Sequence, residues 1–182
     1  MADEQGTASD PGPRTLISEE RIARRVDELA AEISRDYAGK GEILLVGVLR
    51  GCFVFLADLS RRLTVPRRVD FIAVQSYQGA ESGAVRMLMD VHGDVQGQHV
   101  LIVEDIIDSG QTLAYLLETF QARRPASLKT CVFVRKEGRR NLDVRVDYLG
   151  LEIPDVWVVG YGLDYDDHYR TLPYIGELDV SS

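Results

Sequence analysis

Two stretches of the chain, Ile43-Leu44-Leu45-Val46-Gly47-Val48 and Val100-Leu101-Ile102-Val103, are apolar without a polar interruption. A strand with one wet face alternates apolar and polar side chains. A run that is apolar throughout suits a strand covered on both faces, the usual condition in a parallel sheet. Helical patterns lie around these runs. Ile22, Val26, Leu29 and Ile33 recur at spacings of four, three and four, one face of a helix. Ser18 supplies its N-cap, Glu19 and Glu20 suit its positive end, and Gly39 and Gly41 stop it. Phe53 to Leu63 and Leu113 to Ala122 carry further helical patterns, and Val69 to Ser76, Thr130 to Val134 and Val156 to Val159 read as further strands. Strands alternating with helices predict an α/β fold, with a central, mostly parallel sheet flanked by helices.

The chain has 182 residues, one domain's worth. Residues 1–15 are rich in Asp, Gly, Pro and Ser and read as a disordered tail, leaving 16–182 as a single domain. No run approaches the ~18 apolar residues of a membrane helix, and Met1-Ala2-Asp3-Glu4 has neither the basic start nor the apolar run of a secretory signal. Cys52 and Cys131 are too few for a disulfide framework or a four-thiolate zinc site, so a reducing, cytoplasmic compartment is expected. The 21 Lys and Arg against 29 Asp and Glu give a net charge of −8, which argues against nucleic acid or membrane as partner. It does not exclude an anionic substrate, because a local cation can reverse the field inside a cleft.

The densest chemistry lies in Val100-Leu101-Ile102-Val103-Glu104-Asp105-Ile106-Ile107-Asp108-Ser109-Gly110-Gln111-Thr112-Leu113. A buried strand runs into two adjacent carboxylates, then into a short turn, then into a helix. In open α/β sheets ligands bind at the carboxyl ends of strands. The turn offers backbone N–H groups, two hydroxyls and a helix N-terminus, an anion cradle suited to a phosphate monoester. The Lys and the glycine spacing of a nucleoside-triphosphate P-loop are absent. An isolated Asp-Ser-Gly would read as a helix cap. The Glu104-Asp105 pair argues for more, since two such carboxylates are costly unless they meet cations or hydroxyls.

Glu104 to Thr112 resembles the phosphoribosyl-pyrophosphate signature of type I phosphoribosyltransferases, and the resemblance runs from about Ile17 to Leu178. Leu49-Arg50-Gly51 is similar to the family's pyrophosphate loop, Ser76-Tyr77 to the start of its lid, and Val134-Arg135-Lys136 to its base-reading strand. Glu152-Ile153-Pro154-Asp155, Val158-Val159-Gly160-Tyr161 and Leu163-Asp164-Tyr165 resemble the purine side of the hypoxanthine–guanine branch. The implied fold is the type I phosphoribosyltransferase fold, with a flexible lid hairpin and a small purine-binding hood. The implied reaction moves the 5-phosphoribosyl group from phosphoribosyl pyrophosphate to N9 of a 6-oxopurine, hypoxanthine and also guanine, in purine salvage.

The resemblance gives each residue a role. Ser109, Gly110, Gln111 and Thr112 hold the 5′-phosphate. Glu104 and Asp105 meet the ribose hydroxyls, directly or through Mg²⁺, and Asp164 belongs to a second Mg²⁺ site reached through water. Asp108 is the general acid/base at the purine N7. Lys136 reads O6, Trp157 stacks on the base, and the backbone near Val158 and Asp164 meets the purine edge. Arg50, Gly51 and Arg170 hold pyrophosphate, and the peptide that can be cis in this family is here Leu49–Arg50. The family commonly has Thr where Ser109 stands, Lys where Gln111 stands, and Lys in place of Arg50. Ser keeps the hydroxyl; Gln loses a charge. Gln75 through Arg86 is expected to be mobile and to close over pyrophosphate, and a homodimer or homotetramer is expected. His92, His99 and His168 have no metal-like spacing, and Cys52 and Cys131 read as core residues. The rival reading is a regulator of the same fold that binds RNA or DNA. The acidic balance and the Val134-Arg135-Lys136 and Ile153-Pro154-Asp155 segments weigh against it.

Overall fold

A computed structural model describes residues 12–76, 85–138 and 144–180. Its elements are β1 (Arg14–Ile17), α1 (Glu19–Tyr37), β2 (Ile43–Leu49), α2 (Phe53–Arg62), β3 (Arg67–Ser76), β4 (Val85–Met89), β5 (His99–Ile107), α3 (Gln111–Gln121), β6 (Ser127–Lys136), β7 (Tyr148–Ile153), β8 (Val158–Val159) and β9 (Ile175–Glu177). Six strands form one sheet in the order β4-β3-β2-β5-β6-β7, and β1-β9-β8 form a second, smaller one. Within the larger sheet only the β3–β4 pairing is antiparallel.

The two continuous apolar runs are β2 and β5, neighbours at the centre of the large sheet. Both are covered on two faces, as their patterning requires. On one side Leu45, Leu101 and Phe133 pack with Leu29 and Ile33 of α1 and Phe55 and Leu59 of α2. On the other, Val46, Ile102 and Val132 pack with Leu113, Leu116 and Phe120 of α3. The Ser18 hydroxyl accepts from Arg21 N–H at 3.3 Å and caps α1. Cys52 and Cys131 are fully buried, and burial pushes both thiols up, so neither is a ready nucleophile.

Two expectations change, and one strand was not foreseen. Arg14 and Thr15, placed in the tail, form β1 and pair with Glu177 and Gly176 of β9. The strand expected from Val156 begins only at Val158, because Val156 N–H bonds back to the Pro154 carbonyl in a turn. Strand β7 lacks the apolar continuity of β2 and β5. Its Gly150 lies where a Cβ would come within 2.2 Å of the Phe133 carbonyl, so the backbone approaches its neighbour through a gap in the side-chain pattern. Ser76 pairs with Val85 in the antiparallel frame of the expected hairpin, while Tyr77 and the intervening connector lie outside the described residues.

Candidate active site

Three loops meet beyond the carboxyl ends of the central strands. The first leaves β2 through a cis Leu49–Arg50 peptide and enters α2 at Phe53. The second is the end of β5 and the turn into α3. The third runs from β8 through Gly162, Asp164 and Asp167 to Arg170. Their contact is backbone-close. A Cβ on Gly51 would sit 1.6 Å from Asp105 Oδ2, and a Cβ on Gly162 would sit 1.9 Å from the Gly51 carbonyl oxygen. Glycine is therefore required at both places by lack of space, and at Gly162 also by a φ of +101°.

Glu104 and Asp105 follow each other on a strand, so their side chains diverge. Glu104 lines a cavity of about 110 Å³ with Asp108, Ser109, Gly110 and Thr112, beneath the α3 turn. It is only 7% exposed, and its Oε2 has no hydrogen-bond partner. Burial, and then the neighbouring Asp105 charge, pushes its carboxyl up to about 8. Asp105 is pushed up to about 6, chiefly by burial; backbone N–H groups and Arg170 pull it down, and Asp164 pushes it up. Two carboxylates held at such cost, one with an orphaned oxygen, suit a cation or sugar hydroxyls. Among the described residues no three His, Cys, Asp or Glu side chains gather into a metal cage. Mg²⁺ is commonly held by one or two carboxylates, with waters and substrate oxygens completing its shell, so either carboxylate could supply it a ligand.

The α3 N-cap is Gly110, at φ 81°, which has no side chain of its own to cap the helix. Asp108 therefore does not occupy the cap position, and it is exposed at the mouth of the cradle. Ser109 Oγ accepts from Gln111 N–H at 3.4 Å. The first turn of α3 carries no acidic residue that would repel a phosphate.

On the base side, Lys136 ends β6, and β6 lies directly beside β5, with Arg135 opposite Ile107. The Lys136 side chain is 10% exposed, so it is not part of a solvated basic turn; Arg139 and Arg140 fall outside the described residues. Its Nζ lies 5.5 Å from the Trp157 ring centroid and 3.7 Å from Asp155 Oδ1. Trp157 is 54% exposed and meets Tyr165 edge-on at 5.9 Å, leaving aromatic surface open for stacking. Val158 is buried, and its backbone pairs with Glu177.

The third loop is tied by ions. Arg170 Nη2 meets Asp164 Oδ1 at 2.8 Å and Asp167 Oδ1 at 2.9 Å, and Asp167 Oδ1 also meets Arg50 at 3.0 Å. Asp164 Oδ2 accepts from Asp167 N–H at 2.9 Å, so both of its oxygens already have partners. Arg50 side-chain contacts are thus with Asp167, an unexpected bridge in what reads as a solvated acidic stretch. The signal lay in the backbone: Asp166 and Asp167 sit at φ 52° and 61°, conformations that sequence spacing does not reveal.

Fold and site define an α/β protein with an anion cradle and a buried carboxylate pair at the ends of its strands. The profile of the phosphoribosyl transferase domain matches residues 15–166. The hypoxanthine-guanine phosphoribosyltransferase of Dictyostelium discoideum is 44% identical over 90% of this chain and 93% of its own length. The hypoxanthine phosphoribosyltransferase of Salmonella typhimurium is 46% identical over 90% and 93%. The structure of Trypanosoma cruzi hypoxanthine phosphoribosyltransferase in a ternary substrates complex superposes with a TM-score of 0.87 at 46% identity, covering 91% of this chain and 94% of that one. The chain belongs to the phosphoribosyltransferase family.

Proposed function

We propose that this protein transfers the 5-phosphoribosyl group of phosphoribosyl pyrophosphate to N9 of hypoxanthine or guanine, releasing pyrophosphate and a nucleoside 5′-monophosphate, in purine salvage. The observation that carries the reading is the adjacency of two chemistries. The phosphate cradle follows β5, whose C-terminal half carries the buried carboxylate pair, and Lys136 beside Trp157 stands at the end of the neighbouring strand β6. The displacement passes through an oxocarbenium-like centre, so the protein must hold the phosphate, neutralise the leaving group and manage a proton on the purine.

Ser109, Gly110, Gln111 and Thr112 hold the 5′-phosphate with N–H and hydroxyl donors and the α3 N-terminus. Because Gln111 is uncharged, this cradle works without a cation of its own. Glu104 and Asp105 accept from the ribose hydroxyls and would hold Mg²⁺, and Asp164 would meet a second Mg²⁺ through water. Bound Mg²⁺ supplies charge neutralisation for the pyrophosphate oxygens. Asp108, exposed beside the cradle, exchanges the proton at the purine N7. Lys136 has donors only, so it favours a 6-oxo group over a 6-amino group. Trp157 stacks on the base, and the backbone at Val158 and Asp164 reads its edge. Arg50, Gly51 and Arg170 receive the pyrophosphate; Ser76 and Tyr77 begin the segment that closes over it. The protein acts as a homodimer or homotetramer in the cytoplasm; among the described residues no helix is long and apolar enough to cross a membrane. The test is one assay of hypoxanthine, guanine, xanthine and adenine with phosphoribosyl pyrophosphate, with and without Mg²⁺. Turnover of hypoxanthine and guanine, with adenine inert, is expected; no transfer to any base refutes the reading.

A further inference from the structure

The loop that carries Arg170 has to keep its position over Gly51, and Tyr161 and Leu163 anchor its start in the core. A cavity of about 340 Å³ lies beside it, lined by Val54, Asp58, Arg62, Tyr161, Arg170 and Leu172 among others. Two of these lining residues are tied to each other. Tyr161 Oη donates to Asp58 Oδ2 at 2.8 Å. Tyr161 is 5% exposed, with its ring 5.1 Å from Phe133, which in turn lies 4.7 Å from Phe55 of α2. Burial, and then the Asp58 contact, pushes the hydroxyl above its ordinary range, so it stays protonated and keeps donating. Asp58 is itself steadied by Arg61 at 2.5 Å and Arg62 at 3.4 Å.

The neighbour of Tyr161 is Gly162, whose missing Cβ would strike the Gly51 carbonyl. Gly162 is strapped to Arg170 twice: its N–H donates to the Arg170 carbonyl at 2.9 Å, and its carbonyl accepts from Arg170 Nη1 at 2.9 Å. A continuous path therefore runs from Asp58 through Tyr161 and Gly162 to Arg170. Gly51 lies just before Cys52, the N-cap of α2, the helix that carries Asp58, so one rigid element supports both ends of the path.

We propose, resting on the phosphoribosyl-transfer reading, that Asp58 and Tyr161 are positioning residues for phosphoribosyl pyrophosphate, their hydrogen bond fixing the Arg170 loop against the Gly51 loop. Neither residue touches the reacting atoms. The base-side contacts of Lys136 with Trp157 and Asp155 do not pass through α2, whereas Asp164 rides on the tied loop through its pair with Arg170, so loss of the tie should be felt mainly on the pyrophosphate side.

The experiment compares Y161F, D58A and D58N with the wild type in three measurements: KM for phosphoribosyl pyrophosphate, KM for hypoxanthine, and calorimetric binding of pyrophosphate with Mg²⁺. Y161F and D58A should weaken both pyrophosphate-side readouts about five- to tenfold, less than the full worth of one hydrogen bond to a charged group because the bond acts on the ligand only through the loop. KM for hypoxanthine should stay within about twofold, and D58N, which keeps an acceptor, should recover most of the loss. Pyrophosphate-side values within about twofold of wild type in Y161F would overturn the proposal. So would equal loss on both sides, or no recovery in D58N, since general loosening predicts those results. The calorimetric arm needs no turnover, so a wild type that binds pyrophosphate yet transfers to no purine would sink the transfer reading and leave the tie to be judged on binding.

Discussion

Glu104 makes the folded protein sensitive to pH in an unusual direction. Its carboxyl stands near 4.5 when solvated and is pushed up to about 8 by burial and by Asp105. Below 4.5 both folded and unfolded chains hold the proton, and the group is neutral in its effect on stability. Between 4.5 and about 8 the folded chain keeps a proton that the unfolded chain has lost, so unfolding releases it and stability falls as pH rises. Above about 8 both states are ionised and the full cost of the buried charge is present. Asp105, pushed up to about 6, spends most of its own effect below that pH. The interval from about pH 6.5 to about pH 8 therefore isolates Glu104, and there the linkage amounts to roughly 1.5–2 kcal/mol. Urea unfolding of wild type and Glu104→Gln at both ends of that interval, without ligand, measures it. Subtracting the variant cancels the histidines and every other shared titration. The wild type should lose about 1.5–2 kcal/mol relative to the variant as pH rises. An unchanged difference between the two proteins would show that Glu104 is solvated in the folded state, and the account of the carboxylate pair would fall with it.

Asp108→Asn keeps size but cannot exchange a proton near neutrality, so kcat should drop about 10²- to 10⁴-fold while KM for phosphoribosyl pyrophosphate changes little; steady-state kinetics with near wild-type kcat would exclude Asp108 as acid/base. Lys136→Gln should raise KM for hypoxanthine and narrow the preference for 6-oxo over 6-amino purines, because an amide offers an acceptor as well as donors; competition between hypoxanthine and adenine reads this directly. Gly51→Ala should cost about 1–3 kcal/mol of stability as well as activity, since its Cβ would lie 1.6 Å from Asp105 Oδ2 and one of the two loops must move. A melting temperature equal to wild type would show that the contact is looser than the structure has it.

Several elements could be read from the chain because local pattern and final environment agree. β2 and β5 are apolar throughout because helices cover both their faces, and α1 carries its cap and its stripe in adjacent residues. Glu104, Asp105 and the α3 turn are contiguous, so their chemistry was visible in a single segment. What stayed hidden depends on partners distant in sequence. β1 exists because β9 offers it an antiparallel edge more than 150 residues later. Asp167 joins Arg50 to Arg170 only because left-handed turns swing it round. Tyr161 reads as one more aromatic in a family segment, and its bond to Asp58 spans a sequence separation of 103. Lys136, seen in its own segment, looks like a surface charge until Trp157 covers it.

The small sheet also orders events in time. The phosphate cradle and the carboxylate pair rest on β2, β5, α2 and α3, all complete by Gln121. The base side rests on β8, whose partner β9 joins it to β1, the first strand among the described residues. During synthesis from the N-terminus, β1 therefore waits without its edge until Ile175–Glu177 have left the ribosome, and closing so long a loop is the last entropic cost of the fold. A ribosome stalled after α3 would display a nascent chain with the elements of its phosphate cradle complete and no place for a purine, so protease protection should reach the base side last.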